Sequence, residues 1–181
     1  MLNELRTVGL PIPKFSVALG DNVLDAIHPD LPAVVKIGNY HGGFGKALAH
    51  DEAEWSGVKD MAFTADEYIT VEPYLDYVRD IRCLAIGESM WAMARRGTFW
   101  KANTQTVDHE IIAAPDELRG HTAHAMRHLG ADILGLDFLE MPDGRYVLLE
   151  SNDVPGLSGF PADARVALTR RLRERVENAV S

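Results

Sequence analysis

The sequence predicts an α+β protein built as two lobes, and three patterns carry that prediction. First, the β-branched run Pro32-Ala-Val-Val-Lys-Ile-Gly38 reads as a strand, followed by the glycine loop Gly42-Gly-Phe-Gly45 and a helix from about residue 51 to 60. Second, Asp80 to Ile86 and Ser89 to Arg95 read as a hairpin turning at Gly87-Glu88. Third, a helix from about Asp116 to Leu129 precedes a second hairpin and a final helix. Antiparallel hairpins interspersed with helices are the mark of the α+β class. Pro73 stops the strand Tyr68 to Glu72, so the lobes are expected to span residues 1–73 and 74–181.

In chain order, Asn3 to Val8 reads as the end of a helix closed by Gly9 and broken by Pro11 and Pro13. A chain that opens on the last turns of a helix is expected to be missing what preceded it. In the first hairpin Asp80 faces Arg95 across the strands and Arg82 shares their side, while Ile81, Cys83, Ala85, Met90, Ala92 and Ala94 take the other. One side is therefore core and the other a candidate site. The helix near 116–129 sets Leu118, Thr122, Ala125, Met126 and Leu129 at helical spacing. Asp132 to Leu139 and Arg145 to Ser151 form the second hairpin, with Asp143-Gly144 taken as a two-residue loop. The last helix is expected to pack through Val166, Leu172, Val176 and Val180, with Arg165, Arg170, Arg171, Arg173 and Arg175 in solvent.

Composition narrows the function. The chain has 181 residues, 46% of them hydrophobic and 25% charged, as in ordinary globular proteins. A formal net charge of −9 argues against nucleic-acid binding, which draws its affinity from neutralised phosphates. The single cysteine, Cys83, excludes an internal disulfide and suits a reducing compartment. No run approaches a membrane span and the start lacks a signal peptide, so a cytoplasmic protein with no membrane partner is expected.

The second hairpin holds the most informative residues. With the two-residue loop, Asp137 falls directly opposite Glu150, and Asn152 shares their face. Like charges placed opposite one another destabilise a sheet unless something positive lies between them. A hard cation with oxygen ligands would serve, and magnesium carrying phosphates is the common case; two solvated acids are the plainer alternative. Lys36 at a strand end beside Gly42, Gly43, Gly45 and Lys46 could cradle phosphate, or the glycines could mark an ordinary turn. The segment is not a P-loop, because Ala47 follows Gly45-Lys46 where a serine or threonine is required. Glu72 and Tyr74 could form a hinge that receives a heterocycle or simply end a strand. Arg82 and Arg95 flanking Asp80 could hold a phosphoryl group or form a surface ion-pair ladder. His121, His124 and His128 share one helix flank and invite a zinc reading, but with no cysteine partner an exposed histidine flank is favoured.

Taken in order, these segments resemble the ATP-grasp superfamily, and within it the synapsin-type domain and the ribosomal-protein glutamate ligases. The likeness rests on Val34-Val-Lys-Ile-Gly38 with His41-Gly-Gly-Phe-Gly-Lys46, on Asp80-Ile-Arg-Cys-Leu84, and on Phe99-Trp-Lys-Ala-Asn103. It continues through Gly135-Leu-Asp137 and Leu149-Glu-Ser-Asn-Asp-Val-Pro-Gly-Leu157. The resemblance implies an ATP-grasp fold of two α+β lobes with ATP in the cleft, lacking the N-terminal domain that family enzymes carry and the ATP-binding lysine at its junction. It further implies that Lys36 binds ATP phosphates while Gly42, Gly43, Gly45 and Lys46 close over them. Glu72 and the backbone near Tyr74 would receive adenine, and Asp80 would be a further nucleotide contact. Arg82, Arg95, Lys101 and Asn103 would surround the γ-phosphate and acceptor. Asp137, Glu150 and Asn152 would carry magnesium, or manganese in its place.

The implied chemistry is ligation: phosphorylation of a small-molecule carboxylate to an acylphosphate, then attack by an amine. The working unit would include a separate N-terminal lobe or a homo-oligomer. Two alternatives stand beside it, a synapsin-like module that binds ATP without joining anything, and a truncated fragment of the fold. Where glutamate-type ligases place two glycines soon after the asparagine, this chain has Thr104-Gln-Thr-Val, so acceptor identity does not carry over.

Overall fold

The structure, a computed structural model, describes residues 1–38, 40, 44–65, 67–97 and 106–180. Of the expected site residues, Gly42, Gly43, Lys101 and Asn103 lie outside the described residues. The chain divides into two compact units, Pro13–Asp76 and a second made of Met1–Ile12 with Tyr77–Ser181. The division after Asp76 falls a few residues beyond the expected boundary at 73. The first helix joins the later unit because Leu5 and Leu10 are buried with Leu118, Phe138 and Leu148, and Leu148 N–H donates to Pro11 O at 2.8 Å.

The unit Pro13–Asp76 carries β1 (Ser16–Ala18), α2 (Asp21–Asp25), β2 (Ala33–Ile37), β3 (Lys46–Ala49), α3 (Glu52–Ala62) and β4 (Ile69–Pro73), after α1 (Leu2–Thr7) in the other unit. Its sheet runs β1-β4-β2-β3, with every neighbouring pair antiparallel. Alternation along β2 sends Ala33 and Val35 into a core with Ala49, Val71, Ile69 and the α3 residues Trp55 and Ala62. Helix α3 starts where the Asp51 carboxylate accepts from Glu54 N–H at 2.9 Å, satisfying one orphan donor of the first turn. Neither β1, α2 nor β3 is long enough to show a period along the sequence.

The second unit adds β5 (Arg79–Ile86), β6 (Ser89–Gly97), β7 (Thr106–Ile112), α4 (Asp116–Leu129), β8 (Ile133–Glu140), β9 (Tyr146–Asn152) and α5 (Ala162–Val180). Its sheet order is β7-β6-β5-β8-β9. One face packs on α1 and α4 through Ile81, Cys83, Ala85, Ala92, Leu134, Leu136 and Phe138, as alternation along the first hairpin leads one to expect. Helix α4 spans the expected residues and ends on Gly130 in the left-handed conformation. Among the described residues no helix is long and apolar enough to cross a membrane.

Helix α5 departs from expectation. Val166, Leu172 and Val176 are 67%, 57% and 64% exposed, whereas Ala164 and Ala167 are buried with Phe160 against Leu84, Ile86 and Met93. The side chain of Val180 lies outside those described. Alanines let the helix approach the sheet closely, and Arg171 and Arg175 reach from it to Asp132. Both guanidiniums donate to Asp132, Arg171 Nη2 at 2.5 Å and Arg175 Nε at 2.5 Å. These bonds, that from Arg175 first, hold the Asp132 carboxyl below its ordinary value. Because the folded pKa is depressed, this stabilisation is present above the unfolded value of 3.8 and disappears as pH falls through the lowered one. Asp132→Asn is therefore expected to cost about 0–1 kcal/mol at neutral pH, as exposed pairs do. Thermal melts of the variant and wild type should converge at acid pH.

Candidate functional site

Each unit presents one charged sheet face. In Pro13–Asp76 the side of the sheet away from the core carries Lys36 of β2, Lys46 directly opposite on β3, and Glu72 on β4. Like charges placed directly opposite one another are unfavourable unless an opposite charge lies close by. Lys36 Nζ lies 2.5 Å from Glu72 Oε1, and Glu72 is only 8% exposed, so the lysine is aimed by a buried partner. Gly45 closes the β2–β3 hairpin. Its carbonyl accepts from Ile37 N–H at 2.8 Å, its φ is +65°, and a Cβ there would stand 2.9 Å from Ile37 O. Tyr74 N–H donates to Pro32 O at 2.9 Å, so that donor is already used where the β2–β4 pairing ends.

In the other unit the charged face is built by β5, β6, β8 and β9. Asp80 pairs with Arg95 and Arg82 with Asp137, while Arg95 is flanked on its other side by His109 of β7. Arg95 Nη2 donates to Asp80 Oδ1 at 2.5 Å and to Asp137 Oδ1 at 2.9 Å. Arg82 forks onto Asp137, with Nε to Oδ1 at 2.7 Å and Nη2 to Oδ2 at 2.5 Å. Arg95, Asp80 and Asp137 are buried, and Arg82 is the more open member at 21% side-chain exposure. Burial pushes the Asp80 carboxyl up to about 6 against the pull of Arg95. The bond to Asp137 raises Arg82 further above its already high value.

Asp137 does face Glu150, and Asn152 lies opposite Gly135 on the same side, but the route to that register differs from the expected one. The turn is a three-residue loop, Pro142-Asp143-Gly144. Met141 N–H donates to Arg145 O at 2.8 Å, Gly144 N–H donates to Met141 O at 2.9 Å, and Gly144 has φ +84°. That loop alone would misalign the pair by one position. A bulge between Asp137 and Phe138 restores it: Phe138 pairs with Leu148, Asp137 with Glu150, and Leu149 is the extra residue. Leu148 and Glu150 have the same parity, and the bulge is what puts the first in the core and the second on the charged face.

The Val154 to Gly159 turn folds back over this face. A Cβ on Gly135 would stand 2.7 Å from Pro155 Cβ, and one on Gly159 would stand 2.8 Å from Met93 Sδ and 3.4 Å from His109 Cδ2. The sequence reading did not single out His109, because nothing in the sequence shows β7 pairing beside Arg95. Cys83 sits on the opposite, core face, where burial pushes its thiol up to about 12 and removes it as a nucleophile. Two of the three helix histidines have partners of their own: His121 stacks on Phe138 with ring centroids 6.2 Å apart, and His128 lies 3.2 Å from Glu4, while His124 is exposed.

Among the described residues, no group of three or more His, Cys, Asp or Glu is placed to hold a metal ion. The set Asp137, Glu150 and Asn152 is of another kind, two carboxylates and an amide on one face. Directly opposed antiparallel residues hold their Cβ atoms about 4.5–5.5 Å apart, close enough for side-chain oxygens to share one cation. Oxygen donors alone suit magnesium or manganese rather than zinc. These residues fit a hard divalent ion, at a carboxylate that two guanidiniums contact in this structure.

The family model for the synapsin ATP-binding domain matches residues 21–160. Among curated proteins, the chain is 30% identical to the glutamate-LysW ligase ArgX of Sulfurisphaera tokodaii, over 99% of this chain and 67% of that protein. It is 29% identical to a probable alpha-L-glutamate ligase of Klebsiella pneumoniae, over 97% of this chain and 61% of that protein. The chain thus spans about 60–67% of the length of such relatives. Solved structures with the same fold include D-alanine-D-alanine ligase from Bacillus anthracis, with a TM-score of 0.72 at 18% identity, covering 98% of this chain and 67% of that one. The ATP-grasp ligase PsnB complexed with precursor peptide and AMPPNP gives 0.69 at 18% identity, covering 95% of this chain and 57% of that one. With most of its length matched by the family model, this chain belongs to the synapsin ATP-binding domain family of the ATP-grasp superfamily.

Proposed function

We propose that the chain is the nucleotide- and metal-binding part of an ATP-dependent carboxylate-amine ligase that works through an acylphosphate. The observation that carries this reading is the Asp137–Glu150 pair on one sheet face with Arg82 forked onto Asp137. It joins two acids that suit a hard cation to a guanidinium that suits phosphate oxygens. The names of the relatives, glutamate ligases with and without a stated carrier, support an amino acid as the amine, with glutamate the first to try.

In this reading Lys36, aimed by Glu72, and Lys46 bind phosphate oxygens, with Gly42, Gly43 and Gly45 lining the loop between them. The segment from Glu72 to Tyr74 meets the base. Asp137, Glu150 and Asn152 would hold magnesium or manganese, which when bound neutralises the charge that builds on the phosphates. Arg82 holds the transferring phosphoryl group together with Lys101 and Asn103. Arg95 and Asp80, shut away from solvent, serve by fixing the carboxylate of Asp137. The reaction depends on positioning and charge neutralisation, as phosphoryl transfers generally do.

ATP with magnesium is expected to raise the melting temperature of the wild type, by an amount corresponding to about 2.7 kcal/mol at a hundredfold excess over Kd. The Asp137→Ala, Glu150→Ala double variant should lose that shift. No shift in the wild type at saturating nucleotide would overturn the reading. A second reading, an ATP-binding module without turnover, draws support from the synapsin model itself. Phosphate release stimulated by glutamate with a pool of small carboxylates selects the ligase, and saturable ATP binding with no release under any pool selects the module.

A further inference from the structure

The carboxylate of Asp137 is already the partner of two cations. Among the described residues, three hydrogen bonds from guanidinium groups reach its two oxygens, at 2.7 and 2.9 Å on Oδ1 and at 2.5 Å on Oδ2. A carboxylate offers about four lone-pair positions, so a divalent ion that ligates Asp137 competes with these donors as well as with their charge. The two arginines are not equally able to give way. Arg95 is 7% exposed and is tied at its other side to Asp80, whereas Arg82 is 21% exposed and its fork ends on Asp137. Of the pair, only Arg82 can turn outward without leaving a buried acid uncompensated, since Arg95 stays with both Asp80 and Asp137.

We propose that Arg82 is the resident counter-ion of Asp137 and that it exchanges partners when nucleotide binds, moving to the phosphates while the divalent ion takes its place on the carboxylate. The inference rests on the nucleotide and metal reading above and adds an order to it. The ion enters with the triphosphate, because phosphate oxygens are what draw the guanidinium away. Binding of the two ligands is therefore coupled, and by linkage each tightens the other by the same factor. The arginine that binds phosphate also guards the metal ligand, so the ion alone gains no hold.

The test is manganese binding, read by the electron paramagnetic resonance signal of the free ion. It is made on the full chain with manganese alone and with manganese plus the non-hydrolysable analogue AMPPNP, after subtracting a nucleotide-only control. The wild type is expected to bind manganese at least ~10-fold more tightly with AMPPNP than without, within the usual range of coupling between sites. Arg82→Gln is expected to bind manganese alone at least ~10-fold more tightly than the wild type does, with most of the coupling gone. Arg82→Lys, which keeps the charge without the fork, should fall between them.

Wild type that binds manganese alone as tightly as it does with AMPPNP overturns the exchange and leaves the metal site standing. That comparison requires no variant to fold. Equal affinity of wild type and Arg82→Gln for manganese alone likewise overturns it. Wild type that binds no manganese even with AMPPNP, or binds it unchanged in Glu150→Gln, overturns the proposal together with the reading beneath it.

Discussion

Arg95→Met is expected to lower the free energy of unfolding by about 3–5 kcal/mol, the usual result of removing one partner from a buried charge group. Arg95 is the hub of the charged face, because its guanidinium holds Asp80 and Asp137 together and all three are buried. Methionine fills much of the same volume, so the loss reports charge rather than a cavity. Asp137 keeps Arg82, whereas Asp80 loses the guanidinium that balances its buried charge. The check is chemical denaturation, comparing midpoints at constant slope. Adding Asp80→Asn to Arg95→Met should recover a large part of the loss, a non-additivity that a purely steric defect would not show. A loss below 1 kcal/mol for the single variant would mean that the charges are not buried as described.

Phe138→Ala should cost about 3–5 kcal/mol, the range for emptying a large aromatic from a packed core. Phe138 is fully buried between α4 and the sheet, stacks on His121, and pairs with Leu148 at the bulge. It is also the neighbour of Asp137, so the damage should reach the site. We expect the thermal shift produced by ATP and magnesium to shrink in Phe138→Ala even where the protein remains folded, and Phe138→Leu to lose less of both. Melting curves with and without nucleotide separate the two effects. A full nucleotide shift on a strongly destabilised Phe138→Ala protein would show that β8 holds its position without the ring.

Some features were legible because a local rule and a long-range requirement agree. The first hairpin paired as expected since Gly87 with φ +56° sits in a two-residue turn and the charged and apolar residues alternate on either side of it. Helix α4 was equally plain, with acids in its first turn, an apolar stripe and a left-handed glycine at its end. A two-residue loop would set Asp137 opposite Glu150; the structure reaches the same opposition with a three-residue loop and a bulge that makes up the difference. A hint was present: Leu148 needs the core, Glu150 needs the polar face, and both have the same parity, which a regular strand cannot satisfy.

The sequence by itself determined the α+β class, the two hairpins and the helix 116–129. These depend on turn chemistry and on side-chain period, both of which act over a few residues. Tertiary structure alone decided that α1 packs with the later unit, that α5 turns its alanines inward and leaves Val166, Leu172 and Val176 outside, and that Arg95 rather than Arg82 is the enclosed arginine. It also placed His109 beside Arg95. Each of these depends on which surface lies opposite, and a close approach by small side chains or a charge shared among three strands leaves no periodic trace along the chain.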